Sequence, residues 1–207
     1  MPGNNAIAVA LTGASGSAYG LRLIKALLES KNTVYLMMST PARLVVESES
    51  GLRLPSKTNT IRTLLGEHLG VDTQNLHVFA KEDWFAPVAS GSHAPRAMVI
   101  CPCTTGTLGA IASGTSRSLI ERAGDVMLKE RHPLILVVRE TPLSVIVLEN
   151  MLRLAKAGAL IMPANPGFYH NPSHIDDLID FMVARILDQL DVDHTLTPRW
   201  GLERVDG

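Results

Sequence analysis

Short apolar runs rich in β-branched residues alternate along this chain with longer segments that carry their apolar residues on one helical face. The runs at 6–11, 33–38, 76–79, 97–101, 134–138 and 159–162 have strand length, and their unbroken hydrophobicity suits strands buried on both faces of a parallel sheet. Between them the pattern predicts helices over 18–30, 41–48, 60–69, 107–113, 118–131, 143–157 and 173–190. Strand and helix alternating in this way is the signature of βαβ units, so the class is α/β. The period fades after residue 190, and 191–207 reads as a C-terminal tail in which Trp200 is expected to cover an apolar surface. No repeat, low-complexity tract or linker divides 1–207, which predicts one domain.

Composition narrows the partners. With 46% hydrophobic residues in 207, the chain can bury a substantial core. A net charge of −1 gives no basic field to hold nucleic acid through its phosphates. Only 19% of residues are charged, and the mean hydropathy is +0.16. Part of the surface is therefore expected to face other copies of the chain in a homo-oligomer. Residues 1–11 lack the pattern of a signal peptide and no apolar run approaches the ~20 residues of a membrane span, which predicts a cytoplasmic protein. Cys101 and Cys103 flank one proline, too close for an easy disulfide and too few for a zinc cage.

In an open parallel sheet, ligands bind beyond the carboxyl ends of the strands, and the small, hydroxyl-bearing and charged clusters of this chain fall there. After the first strand comes Thr12-Gly13-Ala14-Ser15-Gly16-Ser17, a turn into a helix. It reads as a phosphate cradle, or as a tight turn in which Ser15 or Ser17 only caps the helix. The dinucleotide spacing G-x-G-x-x-G fails because residue 15 is serine, and no Tyr-x-x-x-Lys follows. Ser39 ends the second strand, and Trp84 and Ser90 lie in the loop after the third. Thr104, Thr105 and Thr107 surround Gly106 after the fourth, either as a second cradle or as a capping cluster.

Charged positions add candidates. Arg122 and Lys129 lie seven apart on one predicted helical face, where they either reach a common anion or belong to a solvated surface. Arg139 and Glu140 end an apolar strand, where charge needs a partner or a ligand. Arg185 interrupts an apolar helical stretch and either snorkels outward or turns in. Asp176-Asp177-Leu178-Ile179-Asp180 matches the D-D-x-x-D string of magnesium-dependent prenyl synthases. Following Ser173, it reads instead as acids in the first turns of a helix, and no metal is expected.

Taken together the loops resemble those of the UbiX/Pad flavin prenyltransferases almost end to end. The stretches that carry the resemblance include Leu11-Thr12-Gly13-Ala14-Ser15-Gly16, Ala89-Ser90-Gly91-Ser92, Val99-Ile100-Cys101-Pro102-Cys103, Leu119-Ile120-Glu121-Arg122-Ala123, Leu128-Lys129-Glu130-Arg131 and Pro166-Gly167-Phe168-Tyr169-His170. The resemblance implies a Rossmann-like three-layer α/β/α fold with a six-stranded sheet ordered 3-2-1-4-5-6. It implies a dodecamer with active sites between subunits, and prenyl transfer from dimethylallyl phosphate to reduced FMN for a UbiD-type decarboxylase. By matching position, Gly13, Ala14, Ser15, Ser39, Thr104, Thr105, Gly106, Thr107 and Arg139 would contact FMN, with Trp84 and Ser90 lining the pocket. Arg122, Lys129, Glu140, Tyr169 and Arg185 would hold the donor phosphate. Trp84 and Trp200 would stabilise developing allylic charge, and Glu49, with Ser15, would serve in proton transfer. Two departures stand out: Thr104 where serine is commoner, and Ser17-Ala18 in place of a more usual Ala-Gln pair. The rivals are an FMN-dependent decarboxylase of the same fold, which lacks its Pro-Ala-Ser-Ala-Asn-Met string here, and a flavodoxin-like electron carrier, which leaves the arginines unexplained.

Overall fold

In the computed structural model, residues 5–198 are described. Six strands, β1 (Ala6–Leu11), β2 (Thr33–Met38), β3 (Leu76–Phe79), β4 (Ala97–Cys103), β5 (Leu134–Val138) and β6 (Leu160–Pro163), form one sheet ordered β3-β2-β1-β4-β5-β6. Every adjacent pair is parallel. Seven helices connect and follow them: α1 (Ser17–Glu29), α2 (Thr40–Ser50), α3 (Thr58–Leu69), α4 (Thr105–Ala112), α5 (Leu119–Glu130), α6 (Val145–Lys156) and α7 (Ile175–Gln189).

The strands alternate their side chains between two cores. Ile7, Val9 and Leu11 of β1 point into one, shared with Leu23, Ile24 and Leu27 of α1, Val46 of α2, Leu65 of α3 and Val183 and Ile186 of α7. Ala8 and Ala10 point into the other, with Leu108 of α4, Leu119 and Met127 of α5 and Leu154 of α6. The sheet is therefore the middle layer of three, with α1, α2, α3 and α7 on one face and α4, α5 and α6 on the other. This two-sided burial is why the strands lack a polar alternation.

Several boundaries shift by one or two residues, and two of the shifts bear on the site. β4 runs two residues past Cys101, through a cis Cys101-Pro102 bond and a register shift between Ile100 and Cys103. α4 begins at Thr105 rather than 107, because the Thr104 hydroxyl accepts the Thr107 N–H at 3.2 Å and caps the helix. The start of the expected tail packs down: Val192 is buried, Leu196 lies against the core, and His194 Nε2 meets Asp188 Oδ1 at 3.1 Å. Trp200 lies outside the described residues. No described helix is long and apolar enough to cross a membrane.

α1 approaches β4 closely at Gly20, where a Cβ would come within 2.4 Å of the Cys101 carbonyl oxygen. Gly20→Ala must shift either the helix or the strand. The expected cost is about 1–3 kcal/mol, read as a lower urea midpoint with an unchanged slope.

Candidate active site

The strand order reverses between β1 and β4, and at that switch point the loops leaving the two strands diverge to open a crevice. One buried hydroxyl ties the crevice together. Thr12, 2% exposed, donates through Oγ1 to the Pro102 carbonyl at 2.6 Å and accepts the Thr104 N–H at 2.8 Å. Gly13 follows because α2 leaves no room for a side chain: a Cβ would stand 2.5 Å from that of Pro41. Ala14 is buried, so only its backbone can serve a ligand, whereas Ser15 is exposed.

The helices α1, α2 and α4 begin at this edge, and of these three α1 alone lacks a side-chain cap of its own. α2 is capped by Ser39, whose Oγ accepts the Ala42 N–H at 3.1 Å. α1 has Gly16 in a left-handed conformation at its N-cap and no side-chain cap of its own. Its amides are met instead by Glu49, from the last turn of α2. Oε1 accepts the Gly16 N–H at 3.0 Å, and Oε2 accepts the Ser17 N–H at 2.8 Å and the Ser17 hydroxyl at 2.7 Å. Partial burial would raise the carboxyl pKa, but hydrogen bonds from Ser15, Ser17 and Gly16 outweigh it and hold Glu49 below the usual carboxylate range. The expected phosphate cradle at the first loop therefore needs correction, because a protein carboxylate occupies that helix end, and neither Ser15 nor Ser17 is its N-cap.

α4 offers open amides to a ligand. Thr104 caps it and donates to Thr107 Oγ1 at 2.9 Å. The first-turn amides of Thr105 and Gly106 have no acceptor among the described residues, and a Cβ on Gly106 would meet nothing within 4 Å. Beside it Arg139 leaves β5 with its Nε–H buried and no described acceptor. Arg139 and Glu140 also line a hollow of about 360 Å³ with Val138, Pro142, Leu143 and Met151. Open amides, an unmet guanidinium N–H and an apolar wall fit a flavin mononucleotide. Two wider hollows fit it less well. One of about 560 Å³ lies where the C-terminal ends of α5 and α6 present carbonyls, which disfavours an anion, and one of about 600 Å³ runs along α1 beside Glu49.

The remaining cations divide between the two faces. On α5, Arg122 donates to the Ala89 carbonyl at 3.1 Å and to Asp125 at 2.8 Å, while Lys129 pairs with Glu130. Arg122 thereby reaches the loop that carries Trp84 and Ser90, where Ser90 Oγ lies 3.1 Å from Ser92 Oγ. On the opposite face Arg185 of α7 points outward and pairs with Asp188 at 2.6 Å, which settles its direction as snorkelling. Exposed Tyr169 packs edge-on against Phe181 of the same helix, with centroids 5.6 Å apart. Glu140 is exposed and accepts the Thr141 N–H at 3.0 Å. Within the chain Arg122 and Lys129 each pair with an acid, Asp125 and Glu130.

The acidic string is also explained locally. Asp177 accepts the backbone N–H groups of His174 and Ser173 and caps α7, and Asp180 pairs with Arg22. Sequence reasoning missed Thr12 as the bridge, Asp125 as the partner of Arg122 and Ser17 as a donor to Glu49. Cys101 and Cys103 are buried free thiols; burial pushes Cys103 up to about 12 and Cys101 higher still, so neither is a nucleophile.

Comparison with known proteins decides the family. Residues 1–187 match the flavoprotein family. The flavin prenyltransferase UbiX of Pseudomonas aeruginosa is 52% identical over 205 residues, 99% of this chain and 98% of that one. The chain belongs to the UbiX flavin prenyltransferases. The crystal structure of AnUbiX (PadA1) in complex with FMN and dimethylallyl pyrophosphate superposes with a TM-score of 0.84 at 40% identity, covering 96% of this chain and 98% of that one. A dodecameric FMN-dependent UbiX-like decarboxylase from Escherichia coli O157:H7 superposes at 0.82 with 36% identity, covering 94% and 98%. The sheet order expected from the resemblance is that of the structure.

Thr12→Val keeps the shape of the bridge and removes its hydroxyl. It should cost about 1–3 kcal/mol, because the Thr104 N–H loses its acceptor, and should weaken FMN binding by loosening the start of α4. Denaturation and a fluorescence titration with FMN check the two effects separately.

Proposed function

We propose that this chain joins the dimethylallyl group of dimethylallyl phosphate to N5 and C6 of reduced FMN, without a metal, and hands the prenylated flavin to a UbiD-type decarboxylase. The observation that carries the reading is the switch-point cradle, where the open amides of α4 and the unmet Nε–H of Arg139 stand side by side. Its support from relatives is the full-length likeness to a flavin prenyltransferase.

In this reading Gly13, Ala14, Ser15, Ser39 and Thr104 to Thr107 shape the flavin site, and Trp84 and Ser90 close it. Bound reduced FMN supplies the nucleophilic nitrogen and carbon. The carbon–oxygen bond of the donor breaks as phosphate leaves with the electron pair. Fixed positive charge stabilises that leaving group without needing to reorganise. Arg122, Lys129 and Arg185 supply it, with Tyr169 and Glu140 orienting the phosphate. Trp84 presents an aromatic face to the developing allylic charge. Closure at C6 would consume the alkene of the transferred group, which gains a proton at its inner carbon, while Glu49, through Ser15, would take the proton lost from C6, so that the protons balance.

Because Arg122 and Lys129 lie on one face of the sheet and Arg185 on the other, we assign the phosphate site to the junction of different chains in a homo-oligomer. A dodecamer is the assembly suggested by the Escherichia coli relative. The reading places the enzyme in the cytoplasm, where reducing conditions favour reduced flavin.

Mass spectrometry of flavin extracted after anaerobic incubation with reduced FMN and dimethylallyl phosphate should find a gain of one five-carbon prenyl unit. A parallel sample with dimethylallyl pyrophosphate tests the donor. Carbon dioxide release from a carboxylic acid substrate, with unmodified flavin, would establish the decarboxylase reading instead.

Arg122→Ala and Arg185→Ala should each lower kcat by about 10²–10³. Mixing the two inactive proteins and letting subunits exchange should recover part of the activity, because some junctions then pair an intact α5 with an intact α7. No recovery after verified exchange would place both arginines in one chain's site.

Glu49→Gln should bind FMN and the donor with near wild-type affinity while kcat falls by about 10²–10⁴. Equilibrium titration against single-turnover kinetics separates the two, and full turnover by the variant would remove Glu49 from the chemistry.

A further inference from the structure

Glu49 has a partner that neither the flavin nor the donor explains. Ser17, the first residue of α1, is 2% exposed, and both its backbone N–H and its hydroxyl donate to Glu49 Oε2, at 2.8 and 2.7 Å. The Gly16 N–H adds a longer contact to the same oxygen at 3.1 Å. A carboxylate oxygen has two lone pairs, and two strong donors already occupy those of Oε2. Oε1 takes the Gly16 N–H at 3.0 Å, and the carboxylate also accepts a hydrogen bond from the Ser15 side chain, the group through which a proton would reach it. The hydroxyl of Ser17 therefore distinguishes the two oxygens and pins the carboxylate to the end of α1. Alanine, the more usual residue of the resemblance at this position, would supply the backbone N–H and nothing else.

We propose that Ser17 is a positioning residue of this enzyme, whose hydroxyl locks Glu49 by Oε2 so that Oε1 is the oxygen presented for proton transfer. This rests on the reading of Glu49 as the proton acceptor. A donor to the ionised form favours that form, so its removal makes the carboxylate take up protons at higher pH. The sign follows: Glu49 must be ionised to accept a proton, so activity is lost as pH falls, and without the hydroxyl it is lost sooner. Other charged groups near Glu49 line the hollow beside it: Arg22, Lys25 and Glu29 from α1, His68 from α3, and Asp176 and Asp180 from α7. Arg22 is paired with Asp180 and Glu29, and Lys25 with Glu29. The hydrogen bonds that Glu49 accepts come from residues 15–17.

The test compares the pH dependence of kcat for the wild type, Ser17→Ala and Ser17→Thr, alongside Glu49→Gln. Ser17→Ala should move the acid limb up by about 0.5–1 pH unit, and Ser17→Thr, which keeps a hydroxyl, should return it toward the wild type. Infrared titration of the Glu49 carboxyl stretch in ligand-free protein, with Glu49→Gln as the blank, should report the same shift without turnover. A stalled Glu49→Gln with coincident wild-type and Ser17→Ala titrations, by rate and by infrared, overturns the role of Ser17 alone. Full turnover by Glu49→Gln overturns the proton-acceptor reading and the inference built on it.

Discussion

Burying a parallel sheet on both faces leaves little room for polar chemistry except at its ends. Every residue of β1, β4 and β5 is buried, and their backbone groups are engaged in the ladder. Charge can enter only where the strands stop. Arg139 does so one residue beyond Val138, and Thr12 one residue beyond Leu11. The reversal of strand order between β1 and β4 then decides which part of that edge opens. Thr12 holds both banks of the opening through a single oxygen, so the geometry of the candidate flavin site depends on one hydroxyl.

The helix ends at this edge are a limited supply of positive potential. Each N-terminus carries roughly half a positive charge, enough to favour one anion. On α1 that anion is Glu49, held by Gly16 and Ser17. A phosphate on the same amides would meet a carboxylate at close range, so internal capping of α1 directs an external anion to α4. The same contact ties the last turn of α2 to the first turn of α1, two helices otherwise joined through β2. A group that looked catalytic by resemblance thus also has a structural task, held by Gly16 and Ser17 while the Ser15 side chain also donates to it.

Much of the fold was legible because two-sided burial writes itself as unbroken apolar runs, and five of six strands fall within a residue of where those runs place them. β4 was cut short at Cys101 because proline usually ends a ladder, and nothing local reveals that the chain continues through Pro102 to Cys103. Loops contiguous in sequence, such as Thr104 to Thr107, were legible as a unit. Contacts between distant positions were not. Glu49 and Ser17 are 32 residues apart, and Thr12 and Pro102 are 90, so their meeting is a property of the fold. The resemblance pointed to Glu49, but the occupation of the α1 end became visible only once α2 was packed beside α1.

Two features of the single chain ask for the same remedy. α6 turns Val145, Ile146, Leu148 and Leu152 to the outside, and Phe85 is 99% exposed at the tip of its loop. Leaving such side chains in water forgoes about 1.5–3 kcal/mol for each that could be fully buried, which is the physical content of a positive mean hydropathy at this size. The cations proposed for one phosphate are meanwhile split by the sheet, with Arg122 and Lys129 on the α5 side and Arg185 on the α7 side. Association of copies would cover the first and could join the second. On the proposed reading, an apolar composition and a phosphate site shared between chains would be two consequences of one design.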